Sequence, residues 1–262
     1  MDGDTQRNRP HTARVYDYFL GGKDNYEVDR VAAAEILKWW PHIRTAARAN
    51  RRFMHRSTRF LAESGIRQFL DIGAGIPTEP NLHQIAQQTA PDSRVVYVDN
   101  DPLVLAYARA LMTGAEQGAL EYIEGDVTEP AAILRALDRT GVFDMAEPVG
   151  VSMLAVLHFV EDGLDEILAT LMGAMASGSY LVICAITTDF APDQVKNAQE
   201  VYRVRKLPAR SRTRAEITGW FAGLDLVEPG IVPPHRWRNA VTPALASYDA
   251  KVSCFCGVAR KP

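Results

Sequence analysis

The apolar and polar positions of the chain follow two rhythms that change over near residue 67. Before it, Val31, Ile36 and Leu37, then Phe53, Phe60 and Leu61, recur at helical spacing, and no strand-like run occurs. This predicts two or more helices over residues 1–65, with a turn near Pro41. Beyond it come short β-branched runs: Gln68-Phe69-Leu70-Asp71-Ile72, Val95-Val96-Tyr97-Val98-Asp99 and Leu120-Glu121-Tyr122-Ile123. Residues 149–154 and 180–186 continue the series, giving five expected buried strands.

Helical patterns separate these runs. Asp101-Pro102 reads as an N-cap with proline in the first turn, and Leu164, Ile167, Leu168, Leu171, Met172 and Met175 form one buried stripe. Gly75 to Asp99 is 24 residues, Asp99 to Asp126 is 27 and Asp126 to Leu154 is 28. Steps of that size are what βαβ units occupy, so the pattern predicts a parallel sheet with helices on both faces. Thr213-Arg214-Ala215-Glu216 opens a further helix as a capping box. Two late strands are expected at 224–228 and 251–259, around a Pro-rich loop that carries Trp237. The chain divides into an N-terminal helical cap, 1–65, and an α/β domain, 66–262, forming one unit.

Composition narrows the function. Apolar residues make up 47% of the 262, enough for a packed core. The formal charge of -3 argues against a dedicated nucleic-acid binder, and there is no apolar run long enough for a membrane span. Cys184, Cys254 and Cys256 lie in strand-like runs, an odd number that reads as reduced thiols in a cytoplasmic protein rather than a metal site. The oligomeric state is not legible. Up to Gln68 there are 13 Lys/Arg against 8 Asp/Glu, and Arg48, Arg51, Arg52, Arg56 and Arg59 crowd one helical stretch. They form either a solvated face or an attraction for an anionic substrate or carboxylate.

The chemistry concentrates at the strand ends. Asp71-Ile72-Gly73-Ala74-Gly75 closes the first strand in a glycine turn through which a ligand can approach the backbone. Asp99 closes the second strand, where a carboxylate can accept from both ribose hydroxyls. Asp126 follows the third, where it can accept from an adenine amino group or simply cap the turn before Thr128. Asp71 stands where a dinucleotide-binding turn usually carries an apolar residue. A carboxylate there suits an ammonium group, such as the amino-acid end of S-adenosylmethionine. An NAD(P) oxidoreductase would leave Asp71 and Asp126 without a purpose, whereas a cofactor-binding regulator without catalysis would keep every motif.

This ordered set resembles the class I methyltransferases. Leu154-Ala155-Val156-Leu157-His158-Phe159-Val160 and Met175-Ala176-Ser177-Gly178-Ser179-Tyr180 are similar to their post-strand-4 stretch and their turn before strand 5. A closer resemblance spans nearly the whole chain. Ala13-Arg14-Val15-Tyr16-Asp17-Tyr18-Phe19-Leu20-Gly21-Gly22-Lys23-Asp24-Asn25-Tyr26, Gly75-Ile76-Pro77-Thr78, Val227-Glu228-Pro229-Gly230 and Trp237-Arg238 resemble a bacterial S-adenosylmethionine methyltransferase family long classed as a domain of unknown function. The resemblance implies a Rossmann-like sheet of seven strands with the last antiparallel, and S-adenosylmethionine as cofactor with S-adenosylhomocysteine as product. It implies no particular acceptor beyond a small molecule with an oxygen or nitrogen nucleophile. Pro77 replaces a third glycine and is expected to start the next helix. The absence of Asn-Pro-Pro-Tyr after strand 4 disfavours an amide or exocyclic nitrogen target, and no Lys-Asp-Lys-Glu set marks a ribose methyltransferase.

The expected cofactor contacts are therefore Asp71, Gly73, Ala74, Gly75, Asp99, Asn100, Asp126, Val127, Ser152 and Leu154, with Tyr18 facing the cofactor from a lid over residues 10–30. Lys23 and Asn25 would face the acceptor, with Trp237 as the opposite wall. A helical layer docked on the back of the sheet is the rival arrangement. His158, just past strand 4, is either a general base or a packing residue.

Overall fold

The computed structural model describes residues 8–239 and 246–262. Its sheet has seven strands in the order β3-β2-β1-β4-β5-β7-β6. The first five are β1 (Gln68–Ile72), β2 (Arg94–Asp99), β3 (Ala119–Glu124), β4 (Val149–Leu154) and β5 (Tyr180–Ile186), all parallel. β7 (Cys254–Arg260) runs antiparallel to both β5 and the short β6 (Asp225–Leu226). The reversal matches expectation, but the strand starts later, because a helix at Ala246–Val252 takes up the residues just before it.

Side chains alternate across the pleat and divide the core in two. Phe69, Val95, Tyr97, Cys184, Cys254 and Cys256 pack on one face, and Leu70, Val96, Met153 and Ile183 on the other. The three cysteines are unlinked and buried. The second face is covered by α6 (Pro130–Thr140) and α7 (Leu164–Ala174), whose predicted stripe is buried.

The first face is covered largely by the N-terminal helices. These are α1 (Thr12–Leu20), α2 (Glu27–Trp39) and α3 (Ile43–Glu63), joined by α4 (Leu82–Thr89) and α8 (Pro192–Val204). Val15, Phe19, Ile36, Phe53 and Leu61 share one core with the sheet, so residues 12–63 form a structural layer. The start of α1, with Asn50, Arg51 and Met54 of α3, also borders the cleft at the strand ends, so the lid and the docked layer are not separate elements.

α5 (Pro102–Leu111) follows β2 and is capped by Asp101, whose carboxylate accepts from Leu103 N at 2.9 Å. Pro77 does not start a helix. A loop over 73–81 intervenes, and α4 begins after Asn81, which forms a capping box with Gln84. The N-terminus that a dinucleotide pyrophosphate would use therefore lies several residues beyond the glycine turn.

Candidate functional site

A cleft opens at the C-terminal ends of β1, β2 and β4, with about 860 Å³ of empty space counting its mouth. Asp71, Gly73, Ala74 and Gly75 line it from the first strand and turn, and Asp99 and Asn100 from the second. Val127 and Leu154 complete the sequence-predicted lining. Gly73 has a φ of 79°, and a Cβ on it would meet Val156 at 2.6 Å, so only glycine fits there.

The Asp99 carboxylate holds this turn together. It accepts from Gly75 N at 2.9 Å and from Asp101 N at 3.0 Å. Burial raises its pKa, and those two N–H groups only partly offset the effect. Asp71 is different: no described group donates a hydrogen bond to its carboxylate. Burial pushes its pKa up to about 7, with Arg51 pulling down and Asp99 pushing up.

Arg51, on α3, lines the same cleft. Its Nη2 donates to the carbonyls of Thr78 and, at 2.8 Å, Pro80, while Nε and Nη1 make no hydrogen bond with described residues. Its neighbours divide differently. Arg48, Arg52 and Arg59 are exposed, and Arg56 Nε donates to the carbonyl of Trp237 at 2.8 Å. Only one of the five arginines thus reaches the cleft, the one whose helical phase points it there. The sequence shows the cluster but not the phase.

Several expected contacts fall elsewhere. Asp126 is turned into its own loop, accepting from Thr128 N at 2.9 Å, Thr128 Oγ1 at 2.7 Å and Asn100 Nδ2 at 2.9 Å. Burial disfavours its charge, but these bonds outweigh burial and keep its pKa low. Gly125 and Val127 line the cleft in its place. Ser152 is buried in β4, in register with Asp71, and does not line the cleft.

Tyr18 does not face the cleft; Tyr16 does. Two residues turn a helix by about 200°, and Tyr18 instead stacks under Arg44, 5.0 Å from the ring centroid. Lys23 is exposed, and Asn25 Nδ2 donates to Asp17 at 2.8 Å. The polar crowd after α1 is a clasp rather than a substrate wall: Asp17 also accepts from Asp24 N at 3.0 Å. Trp237 is fully buried, edge-on to Phe53 at 5.3 Å and Phe60 at 5.8 Å, because its indole pins the late loop to α3.

His158 lies on a short 3-10 turn, Leu157–Phe159, and does not line this cleft. It borders a second, apolar cavity, of about 470 Å³ counting its mouth. Burial, helped by the charge of Arg212, lowers its pKa to about 3, so the imidazole is neutral and a weak base. Thr12, Tyr16, Asn50, Ala155 and Phe159 border both spaces, which makes them neighbours sharing one wall. Ala155 holds a φ of 59°, unusual for a residue with a Cβ, at that junction. Asn50 carries no signal in the sequence beyond an ordinary helical position, whereas Tyr16 lies in the N-terminal stretch that resembles the family.

Among the described residues no cluster of His, Cys, Asp or Glu is arranged to hold a metal, and no helix is long and apolar enough to cross a membrane.

Comparison with known proteins agrees with this geometry. The model of the S-adenosyl methyltransferase family matches residues 2–262. A DUF574 family protein of Streptomyces avermitilis is 44% identical, with a TM-score of 0.92 over 98% of this chain and 99% of its own. A provisionally assigned methyltransferase of Thermobifida fusca is 36% identical, with a TM-score of 0.90 over 100% and 99%. The plantazolicin methyltransferase BpumL, solved with S-adenosylhomocysteine, shares the fold at 11% identity, with a TM-score of 0.51 over 95% of each chain. No curated protein matches in sequence. With a cleft at the carboxyl ends of a 3-2-1-4-5-7-6 sheet and a family match along nearly its whole length, the chain belongs to the S-adenosyl methyltransferase family.

Proposed function

We propose that the chain methylates a small-molecule acceptor, and that Asp71 and Arg51 hold the amino-acid end of S-adenosylmethionine. The observation that carries this is the carboxylate of Asp71, with no hydrogen-bond partner among the described residues, in one cleft with a guanidinium whose Nε and Nη1 have none among them either. An ammonium group satisfies the first and a carboxylate the second, so both ends of a zwitterion are matched. A pyrophosphate would meet Asp71 with like charge, which is why a nicotinamide dinucleotide fits poorly.

Asp99 lies where the ribose hydroxyls would come, and the walls from Val127 and Leu154 would flank the adenine and the thioether. When bound, S-adenosylmethionine supplies a methyl group already activated by its sulfonium. The protein's residues then have to align the acceptor and exclude water. Thr12 and Tyr16, at the start of α1, close one side of the cleft over the place where transfer would occur. Support for a small acceptor comes from the second cavity, a pocket of about 470 Å³ counting its mouth that shares a wall with the cleft.

Calorimetry with S-adenosylhomocysteine and 5′-methylthioadenosine, which lacks the amino-acid end, tests this directly. Asp71→Asn and Arg51→Met should each weaken S-adenosylhomocysteine at least tenfold and leave 5′-methylthioadenosine within twofold. Equal losses for both ligands would defeat the assignment, and tight NADH binding would defeat the cofactor reading.

A further inference from the structure

The second cavity lies where α1, the α2–α3 turn and α8 meet the ends of β4 and β5. Rings from Phe19, Trp40, Phe159 and Tyr202 line it together with the small side chains of Ala46 and Ala47. No residue bordering it carries a charge at neutral pH. His158 is neutral there, and burial raises the Tyr16 hydroxyl far above its ordinary value.

Three polar atoms of the bordering residues are nevertheless buried with no described partner: Asn50 Oδ1, Trp40 Nε1 and His158 Nδ1. Each belongs to a side chain at least nine-tenths buried. Leaving such atoms unpaired after taking them from water is unfavourable, so they point to a ligand that pairs with them. The Asn50 amide is oriented by its neighbours. Its Nδ2 donates to Tyr16 Oη at 2.8 Å, and Tyr16 Oη donates to the carbonyl of Ala47 at 3.2 Å. Asn50 Oδ1 is therefore left as an acceptor, at the wall shared with the cofactor cleft. Trp40 Nε1 can only donate.

We propose that this cavity is the acceptor site and that its ligand is an uncharged, flat aromatic molecule carrying one O–H or N–H group. The inference rests on the methyltransferase reading above. The O–H or N–H meets Asn50 Oδ1 beside the cleft, and the ring lies against Trp40, whose N–H would donate to any acceptor atom the ring carries. A charged acceptor would enter a space with no counter-charge, which disfavours it. Transfer forms a bond from the methyl carbon to the acceptor oxygen or nitrogen as the carbon–sulfur pair stays with sulfur. The acceptor's proton leaves to water at the mouth, since no bordering side chain is a competent base at neutral pH.

The test uses the full-length protein, ¹⁵N-labelled and saturated with S-adenosylhomocysteine, titrated with phenol, indole, benzoate and benzylamine. Trp40 is assigned among the four tryptophans by Trp40→Phe. Phenol and indole should shift the Trp40 indole N–H saturably, and benzoate and benzylamine should bind at least tenfold more weakly. Ala46→Leu, which fills the cavity from α3, should weaken phenol at least tenfold and leave S-adenosylhomocysteine affinity within twofold. Trp40→Phe should weaken indole and phenol at the remaining resonances of α3 without any change in S-adenosylhomocysteine binding. The inference is overturned if the cofactor product binds while phenol and indole leave Trp40 unmoved, or if benzoate binds equally well. Failure of S-adenosylhomocysteine itself to bind would instead overturn the cofactor reading, and this inference with it.

Discussion

The backbone N–H of Gly75 donates to Oδ2 of Asp99 at 2.9 Å, so the turn after β1 is held by the carboxylate that ends β2, which we propose also meets the ribose. The other oxygen of Asp99 accepts from Asp101 N at 3.0 Å. Asp99→Ala should therefore act twice, loosening the glycine turn and removing the ribose acceptor. Bonds to a charged group are worth about 1.5–3 kcal/mol, so the loss in S-adenosylhomocysteine affinity should be roughly 10- to 150-fold. Calorimetry showing unchanged affinity would remove Asp99 from the ribose site.

Asp71 links the cleft to pH. Its pKa, raised from 3.8 to about 7 mainly by burial, means that the folded protein holds a proton that the unfolded chain has lost. The stability this carboxyl contributes is complete below about pH 4 and lost as pH rises through about 7. Asp71→Asn should thus be more stable than wild type above pH 7, by up to about 4 kcal/mol for a shift of that size, read as a higher Tm. Binding an ammonium ligand reverses the preference and expels the proton. S-adenosylhomocysteine affinity should rise about fivefold from pH 6 to pH 7 in wild type and stay flat in Asp71→Asn. A flat wild-type profile would show that no ammonium meets Asp71.

The strands and their terminal aspartates were legible because both signals are local: a buried run and the residue that ends it. Asp71 and Asp99 come together because parallel neighbours in a sheet bring successive strand ends side by side. The helical layer was less legible, because which side of a helix faces the site depends on how it docks. Tyr16 and Tyr18 are indistinguishable by composition, yet one faces the cleft and the other lies under Arg44. Asn25 and Trp237 were misplaced for another reason. Polar and aromatic groups also build turns and anchor loops, as Asn25 does with Asp17 and Trp237 with Phe53.

His158 offers a check on electrostatics independent of turnover. A pKa lowered to about 3 by burial and Arg212 leaves the ring neutral throughout the physiological range. Its imidazole carbon and proton resonances should not move between pH 5 and pH 8, while an exposed histidine titrates near 6.5. Titration of His158 in that window would restore it as a candidate base and would mean that its surroundings are wetter than the packing against Phe159, at 4.2 Å between ring centres, implies.

The start of α1 is held over the cleft by a buried ion-pair cluster. Arg14 Nε donates to Asp29 Oδ2 at 2.8 Å, and Arg14 Nη1 to Asp101 Oδ2 at 3.3 Å. Asp29 also accepts from His11 N at 2.9 Å and from Tyr26 N at 2.8 Å, so it ties the helix start to the cap of α2. Both carboxylates are almost fully buried. Removing the guanidinium leaves two buried charges without their cation, a change that typically costs about 3–5 kcal/mol. Arg14→Ala should therefore release α1 before the sheet unfolds, because no strand residue takes part in these contacts and Asp101 is the cap of α5. Limited proteolysis should cut within residues 8–25 of the variant and spare wild type, and S-adenosylhomocysteine affinity should fall as the roof of Thr12 and Tyr16 lifts. Proteolysis at the wild-type rate, with cofactor affinity unchanged, would show that packing of Val15 and Phe19 alone keeps α1 in place.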